Sequence, residues 1–330
     1  MYNRQRIKAL LTLLGGALFV LLMFGSCEGF DSIQYSPPEQ QGDKGGIKNV
    51  GNTCYINSTL QILAALYANK VEEATTTLTD EEDAKAKQLA VTCHKVIEGI
   101  NANKFVGAED ARAFQKALQK AANLQDFTTK RQGDLREVFE CVFDSLKFDS
   151  ASRTLQYEDP DTNKKTDSTT ENLWNILPIE LQIDKKGAYP TCITMQNFLD
   201  NYFLKEKGTR EFRLNGIKNV DCIVYNKLTK LDKLTNGVLP IYFKRACYDS
   251  SGEKIKLSTK IKDAFTLAIE GKTWRLVGFV NQDGGIGGGH YVAWVYKGGK
   301  WYFTSDSYVR EKTEGKAKEA AEDGYLFFYK

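Results

Sequence analysis

Apolar positions in the first part of the chain recur every three or four residues, a spacing that places them on one face of a helix. This spacing predicts four helices between residues 45 and 146. Their apolar faces are Ile56, Leu60, Leu63 and Tyr67; Leu89, Cys93, Val96, Ile97 and Ile100; Phe114, Leu118 and Ala121; and Leu135, Val138, Phe139, Val142, Phe143 and Leu146. Residues 159–172, which are rich in Asp, Thr, Asn and Lys, are then predicted to form a loop.

The second half of the chain contains short runs rich in β-branched and aromatic residues and bounded by turn residues, which predict strands. These runs are residues 176–183, 238–244, 276–280, 291–296, 301–304 and 325–329. Helices come first and strands later, without the strand–helix alternation that builds a parallel sheet. We therefore expect an α+β fold in which an antiparallel sheet packs against a helical lobe.

Composition and charge narrow the class of protein. The 330 residues are 42% apolar and 12% aromatic, which is enough to bury a core and excludes global disorder. Lys and Arg number 45 against 42 Asp and Glu, but Arg4, Arg6 and Lys8 are the only charged residues before Glu28. The rest of the chain is therefore balanced in charge. Because a nucleic-acid-binding domain normally carries its excess positive charge in the folded part, we expect no nucleic-acid partner.

Residues 1–27 have the pattern of an export signal. Three basic residues precede an apolar stretch at residues 9–24, which is shorter than the about 20 residues a spanning helix needs. The small pair before Cys27 resembles a bacterial lipoprotein signal, in which that cysteine is lipidated, although Phe24 stands where such signals usually have Leu. A plain N-terminal membrane anchor is the alternative.

The residues after this signal are predicted to form a polar tether. Residues 28–44 include Pro37-Pro38 and Gln40-Gln41, which is typical of a linker. The dense, patterned sequence at residues 45–330 is predicted to be the functional domain. We expect an exported protein that is attached to a membrane by lipid or by an anchor.

Cys54 is the candidate nucleophile. It begins the first predicted helix, with Asn52 or Thr53 as the expected N-cap. A helix N-terminus stabilises a thiolate and lowers the pKa of the thiol, as a cysteine nucleophile requires. A small buried hydrophobic residue is the alternative interpretation. The cysteines are scattered and form no C-x-x-C pair, so neither a zinc site nor a compact disulfide scaffold is expected.

Only two histidines could act as the base. His94 lies inside the second predicted helix and is interpreted as a surface or edge residue. His290 follows a glycine-rich run at residues 284–289 and opens a strand; glycine there permits close approach of backbone and substrate. A cysteine early in the chain and a histidine late, on separate halves, is the arrangement of papain-like cysteine proteases.

Five motifs in order resemble those of the ubiquitin-specific proteases, from residue 45 to the C-terminus. The longest, GIKNVGNTCYINSTLQ at residues 46–61, is similar to the Cys box of that family. The others are QGDLRE at residues 132–137, LPIYFKR at 239–245, GHYVAWV at 289–295 followed by Trp301-Tyr302 (the His box), and YLFFY at 325–329. The resemblance implies a papain-like fold with a helical thumb, an antiparallel-sheet palm and fingers.

The resemblance also implies roles for single residues. Cys54 would be the nucleophile, His290 its general base, and Asn49 the donor of a side-chain amide to the oxyanion; a turn residue before the helix is the alternative for Asn49. The mechanism needs no metal or cofactor. The expected substrate is ubiquitin or a ubiquitin conjugate, cleaved after the C-terminal glycine of ubiquitin, and a monomer is expected.

Further residues are assigned to the substrate by the same resemblance. Asp134 and Glu137 would hold the basic C-terminal tail of ubiquitin, and Gln132, Gly289 and Tyr291 would lie along it. Asp134 and Glu137 also form a capping-box-like pattern at a helix start, so a structural role stands beside the functional one.

The sequence departs from the family at two places. Ser305 stands where an Asp or Asn normally orients the histidine, and Asp306 follows it. We expect Asp306 to orient His290, with Ser305 as the alternative, because a serine offers no charge to support an imidazolium. The fingers, at residues 185–235, lack C-x-x-C pairs and should be reduced and free of zinc.

Two other functions are consistent with these residues. The chain could cleave a ubiquitin-like modifier, or it could be a catalytically weak ubiquitin-binding module. A lipoprotein-type signal on an enzyme for a eukaryotic substrate predicts a bacterial protein that faces, or is released into, host cytosol.

Overall fold

The computed structural model describes residues 43–79, 83–122, 133–158, 165–172, 176–181, 189–202, 206–209, 221–248, 251–285 and 288–330. Residues 41–330 form one unit that contains all of them. The predicted signal, all but the last two residues of the predicted tether, and Gln132 lie outside the described residues. Among the described helices, none has the length and hydrophobicity needed to cross a bilayer.

From residue 54 to residue 145 the described chain is mostly helical. The helices are α1 (Cys54–Leu66), α2 (Ala68–Thr77), α3 (Ala84–Asn101), α4 (Ala108–Ala122) and α5 (Leu135–Ser145). Four of these were predicted from apolar spacing and are confirmed. Helix α2 was missed because only Val71 and Ala74 in it are buried, too few positions to produce a periodic stripe.

Helix α1 is the centre of the helical lobe. Every residue from Cys54 to Ala64 is buried, because the helix packs against α3 and α5 on one side and against the sheet on the other. An aromatic cluster closes the end of this helix: the rings of Phe143 and Phe148 stack at 4.7 Å between centroids, and Tyr67 lies 5.2 Å from each. The helix that begins at the candidate nucleophile is therefore fixed along its whole length.

The rest of the described chain is mostly strand. The strands are β1 (Ser152–Glu158), β2 (Lys165–Asn172), β3 (Leu177–Glu180), β4 (Cys192–Thr194), β5 (Glu206–Thr209), β6 (Asp221–Thr229), β7 (Leu239–Lys244), β8 (Ala246–Tyr248), β9 (Lys254–Lys256), β10 (Lys260–Lys262), β11 (Thr266–Ile269), β12 (Lys272–Gly285), β13 (Gly288–Lys297), β14 (Lys300–Ser305), β15 (Tyr308–Lys312) and β16 (Gly324–Tyr329). Two helices lie among them, α6 (Met195–Tyr202) and α7 (Glu314–Ala321).

The main sheet has the order β15-β14-β13-β12-β16-β7-β3, with β11 paired to β12. Its pairs are antiparallel except β3–β7 at one edge, which is parallel. The α+β class and the antiparallel sheet against a helical lobe are confirmed. Strands β1, β2, β5 and β6 form a separate four-stranded sheet.

The loop predicted at residues 159–172 is wrong for its second part. Residues 165–172 are strand β2, which pairs with β1 in antiparallel register, Glu158 opposite Lys165 and Ser152 opposite Asn172. The segment has no apolar positions and therefore no alternating pattern to indicate a strand. The segment is a strand because it pairs with β1, and the local sequence does not indicate that pairing.

Both faces of the main sheet are covered. In β16, Leu326 and Phe328 join the core shared with the helical lobe, whereas Phe327 and Tyr329 point to the opposite face and pack in a second core with residues of α6 and α7. A strand buried on both faces reads as a continuous apolar run, which explains why residues 325–329 show no alternation.

Arg245 joins three segments of the chain in the protein interior. Its side chain is 3% exposed, and burial lowers its pKa to about 10, so the guanidinium stays charged at neutral pH. It donates hydrogen bonds of 2.8–3.3 Å to the backbone carbonyls of Leu257, Thr259, Glu322 and Gly324. The charge is thus balanced by carbonyl dipoles, and the guanidinium also lies 4.7 Å from the Phe243 ring centroid.

Replacing Arg245 by methionine should destabilise the fold. Arg245→Met leaves buried carbonyls without donors, so we expect the free energy of unfolding to fall by about 3 kcal/mol. Urea denaturation measures this change. Arg275→Met, at an exposed position of β12, is the matched control and should change stability by no more than about 0.5 kcal/mol. Equal effects of the two substitutions would contradict the role given to Arg245.

Candidate active site

A tight loop precedes Cys54 and is closed around the Asn49 side chain. The Oδ1 atom of Asn49 accepts hydrogen bonds from the backbone N–H groups of Gly51 (3.0 Å) and Thr53 (3.3 Å) and from the Thr53 hydroxyl (3.1 Å). Gly51 and Asn52 have φ values of 109° and 46°, the left-handed region that glycine and asparagine tolerate best. With Oδ1 held by the loop, the Nδ2 group of Asn49 is left to face the sheet.

Cys54 is the first residue of α1 and is 4% exposed. Thr53 is the N-cap, one of the two residues expected there, but its hydroxyl binds Asn49 and Val50 N–H and makes no side-chain cap. The thiol therefore lies at the N-terminal, positive end of the helix dipole, which favours a thiolate.

His290 is brought to this helix by β13. The strand packs against α1, and His290 pairs in register with Asp283 of β12. The neighbouring Tyr291 is buried; burial raises the pKa of Tyr291, and the negative charges that Asp134 and Cys54 can carry raise it further. Tyr291 is thus within electrostatic reach of both the candidate nucleophile and the candidate tail-binding carboxylate.

The hydrogen-bond partner of His290 is Ser305. The distance from His290 Nε2 to Ser305 Oγ is 2.7 Å. The expectation that Asp306 would hold the imidazole is corrected by this contact. Asp306 has φ 50°, and in the turn after β14 its carboxylate accepts hydrogen bonds from two asparagine amides.

Asp306 instead binds the loop and the helix that carry Asn49 and Cys54. Its Oδ2 accepts from Asn49 Nδ2 at 2.9 Å, and its Oδ1 accepts from Asn57 Nδ2 at 2.7 Å. Burial raises the pKa of Asp306, while these two amides and the nearby His290 lower it. Asn57 was missed by the sequence analysis, although a buried polar side chain three residues after Cys54, on the same face of α1, is a signal that could have found it.

Asp134 has a structural role in this geometry. As the N-cap of α5 it accepts the N–H of Arg136 at 2.8 Å, and both carboxylate oxygens accept from the Tyr325 hydroxyl at 2.8 and 2.9 Å. The carboxylate therefore joins the helical lobe to β16. Glu137 lies exposed in the first turn of α5. The assignment of both residues to the ubiquitin tail stays a prediction.

The glycine-rich hairpin before His290 is held from one side by Lys256. Its ammonium donates to the carbonyl oxygens of Gln282 (2.6 Å) and Gly284 (2.7 Å) on β12. Sequence reasoning missed Lys256, because one lysine in a lysine-rich stretch carries no local signal. At Gly289, a Cβ atom would lie 2.0 Å from the carbonyl oxygen of Asp283, so the two strands can approach this closely only with glycine.

Comparison with protein families shows which family the chain belongs to. The sequence profile of the family described as UCH, ubiquitin carboxyl-terminal hydrolase, matches residues 45–329. The chain belongs to the ubiquitin carboxyl-terminal hydrolase family. A curated relative, ubiquitin carboxyl-terminal hydrolase 8 of Arabidopsis thaliana, is 41% identical over 58 residues. That match covers 17% of this chain and 6% of the length of the relative.

The ubiquitin carboxyl-terminal hydrolase fold is also seen in the structural comparison. One similar structure is a SAGA DUB module containing Ubp8, Sgf11, Sus1 and Sgf73 bound to monoubiquitin, with a TM-score of 0.68 and 18% identity. Another is the same module bound to ubiquitin aldehyde, with a TM-score of 0.68 and 17% identity. Each match covers 96% of this chain and 75% of the other chain. At these identities the likeness establishes the fold.

Substitution of Gly289 tests how closely the hairpin positions His290. Gly289→Ala forces β12 and β13 apart next to the imidazole, and a displacement of about 1 Å at a catalytic group can cost about 100-fold in rate. We therefore expect kcat/KM for a fluorogenic ubiquitin amide to fall by about 100-fold. Gly285→Ala is the matched control in the same hairpin, because a Cβ atom there meets no described residue within 4 Å. Equal activities of the two variants would refute the positioning role.

Proposed function

We propose that the chain is a thiol-dependent deubiquitinase that hydrolyses the isopeptide or peptide bond after the C-terminal glycine of ubiquitin. The observation that carries the proposal is the contact of adjacent residues Ser305 and Asp306 with His290 and Asn49 beside the helix that starts at Cys54. Family membership supports it, and so do the similar structures, which are described as bound to ubiquitin.

The first step forms a thioester. The tautomer of His290 with its proton on Nε2 donates to Ser305 and leaves Nδ1 to accept the Cys54 proton. The thiolate attacks the carbonyl carbon, and the electron pair moves to the carbonyl oxygen. When the tetrahedral intermediate collapses, the C–N bond breaks and the imidazolium protonates the departing lysine amine. Water, deprotonated by His290, then hydrolyses the thioester and releases the Cys54 thiol.

Asn49 is the proposed donor to the oxyanion. One N–H of its Nδ2 group is bound by Asp306, and Oδ1 is bound by the loop, so the amide is fixed, and no described residue accepts its second N–H. A fixed donor needs no reorganisation when charge develops, which is why one such group contributes about 3–4 kcal/mol. Asp306 therefore acts through Asn49, and Ser305 acts through His290.

The proposed substrate surface is acidic where the tail of ubiquitin would enter. Asp134 has carboxylate lone pairs beyond those used by Arg136 N–H and Tyr325, and Glu137 is exposed one turn further along α5. Carboxylates form strong bidentate contacts with arginine side chains. Gln132, Gly289 and Tyr291 remain proposed neighbours of the tail.

An electrophilic ubiquitin probe distinguishes the candidate activities. We expect the full chain in detergent solution to form a covalent adduct at Cys54 with a ubiquitin probe bearing a C-terminal electrophile. Cys54→Ala should form none and still bind ubiquitin. Peptide mapping by mass spectrometry locates the adduct. Reaction only with ubiquitin-like probes would favour a protease for such a modifier, and binding without any adduct would favour a ubiquitin-binding module.

The location of the protein is a further proposal. A lipid on Cys27, or an anchor formed by residues 1–27, would hold the domain at a membrane, and a bacterial protein of this kind would face or enter host cytosol. In cells treated with the same probe, the adduct should sediment with the membranes. Cys27→Ser should release it from them if the cysteine is lipidated, whereas retention would favour the anchor.

A double-mutant cycle tests the division of labour between Ser305 and Asp306. Asn49→Ala should lower kcat by about 100- to 1,000-fold. Asp306→Ala should lower kcat by about 100-fold, because the Asn49 amide loses the hydrogen bond that fixes it. The double variant should be no worse than Asn49→Ala alone, since both act on the same interaction. Ser305→Ala should cost about tenfold and multiply with Asp306→Ala. Multiplicative losses for Asn49 and Asp306 would contradict the account.

A further inference from the structure

The turn that carries Ser305 and Asp306 lies at the open edge of the main sheet. It connects β14 to β15, and β15 is the last strand of the sheet order. We call residues 305–309 the catalytic turn. Two adjacent residues in it serve different groups, His290 and Asn49. Since no described strand pairs with the outer side of β15, the sheet alone does not fix the position of this turn.

A short segment of chain immediately before the Cys box supplies the missing contacts. We call residues 43–47 the N-terminal strap. The N–H of Asp43 donates to Ser307 O at 2.8 Å, and the N–H of Ile47 donates to Asp306 O at 2.9 Å. At Gly46 a Cβ atom would lie 2.5 Å from Ser307 O, so the strap is in direct backbone contact with the turn.

The Asp43 side chain contacts the far side of the catalytic turn. Among the described residues, it is the only charged side chain of the strap that does so. Its Oδ2 accepts the N–H of Val309 at 2.9 Å, and the carboxylate pairs with the Arg310 guanidinium. The hydrogen bond from Arg310 holds the pKa of Asp43 below its ordinary value, so the carboxylate is charged at neutral pH. Arg310 in turn lies 4.4 Å from the centroid of the Tyr308 ring.

The other end of the strap is fixed to the helical lobe. Gly45 N–H donates to Lys104 O at 3.1 Å, and Gln61 Nε2 of α1 donates to Gly45 O at 2.7 Å. Val106 pairs with the strap through its own N–H, which donates to Gly46 O at 2.8 Å. Ile47 is fully buried. The strap therefore transmits the position of the rigid helical lobe to the catalytic turn.

We propose that Asp43 is a positioning residue for catalysis, which holds the catalytic turn through Val309 N–H and Arg310 so that Ser305 and Asp306 stay aligned with His290 and Asn49. The proposal rests on the proposed function. Asp43 lies before the Cys box, within the last residues of the predicted tether, and the resemblance assigns it no role. In this position it makes the end of the predicted tether part of the catalytic apparatus.

The proposal is tested with the full chain in detergent solution, with rates divided by the concentration of sites titrated by the ubiquitin probe. We expect Asp43→Ala to lower kcat on a fluorogenic ubiquitin amide by about tenfold, with KM changed by less than about twofold, because the loss is one of alignment. Asp43→Asn keeps an acceptor for Val309 N–H and should lose only about threefold. A merely structural role would lower the titrated concentration of sites and leave kcat per site unchanged.

The control is a second ion pair on the same hairpin. Glu311 pairs with Lys300 at 2.8 Å, both side chains are about half exposed, and neither belongs to the strap. Glu311→Gln should leave kcat unchanged. Arg310→Gln, which removes the ion pair and keeps the Asp43 carboxylate, should fall between Asp43→Asn and wild type and supplies a variant that folds if Asp43→Ala does not.

Hydrogen–deuterium exchange separates failure of this proposal from failure of the proposed function. The peptide spanning residues 305–312 should exchange faster in Asp43→Ala than in wild type or Glu311→Gln, whether or not the chain cleaves ubiquitin. If the wild-type chain is inactive but Asp43→Ala still speeds exchange of this peptide, the deubiquitinase proposal is overturned, and the contact of the strap with the catalytic turn is supported. An active wild-type chain whose kcat per site and exchange are unaffected by Asp43→Ala and Arg310→Gln would overturn the role of Asp43.

Discussion

The Asp306 carboxylate is the interaction on which the candidate site depends. It binds two amides that lie 257 and 249 residues before it in the chain, that of Asn49 in the loop before α1 and that of Asn57 inside α1. Burying a carboxylate is costly unless hydrogen bonds satisfy it, and the two amides do so here. The two hydrogen bonds that satisfy the Asp306 carboxylate are therefore also the contacts that hold the site together. They join the sheet that carries His290 to the helix that starts at Cys54 and to the loop before it.

The consequence is a division of labour between neighbouring residues. Ser305 is neutral and contacts the imidazole, whereas Asp306 is the carboxylate and contacts the amide proposed to stabilise the oxyanion. A serine supports an imidazolium less than a carboxylate would, so in the proposed mechanism more of the rate comes from Asn49 and from the helix terminus beside Cys54. In the proposed mechanism, the usual cysteine-protease steps can therefore proceed with a serine at the position where the family normally has Asp or Asn.

The sequence was sufficient where local pattern and chemistry coincide. The apolar spacing after Cys54 placed it at a helix start. His290 could be chosen as the candidate base because the chain has only two histidines and because a glycine-rich run precedes this one. The partner of Asp306 could not be predicted, because it depends on the positive φ of Asp306 and on a tertiary closure between distant segments. Strand β2 was missed for a related reason: its polar residues become a strand only through pairing with β1.

A crystal structure of the full chain with ubiquitin aldehyde would show whether Asn49 and Asp306 act together at the oxyanion, because the hemithioacetal presents a tetrahedral carbon and its oxygen to the site. We expect a bond from Cys54 Sγ to that carbon, with the oxygen accepting from Asn49 Nδ2 while Asp306 still accepts from the same amide and Ser305 still contacts His290. An oxygen directed away from Asn49, or an Asp306 that has left Asn49 to bind His290, would contradict this expectation.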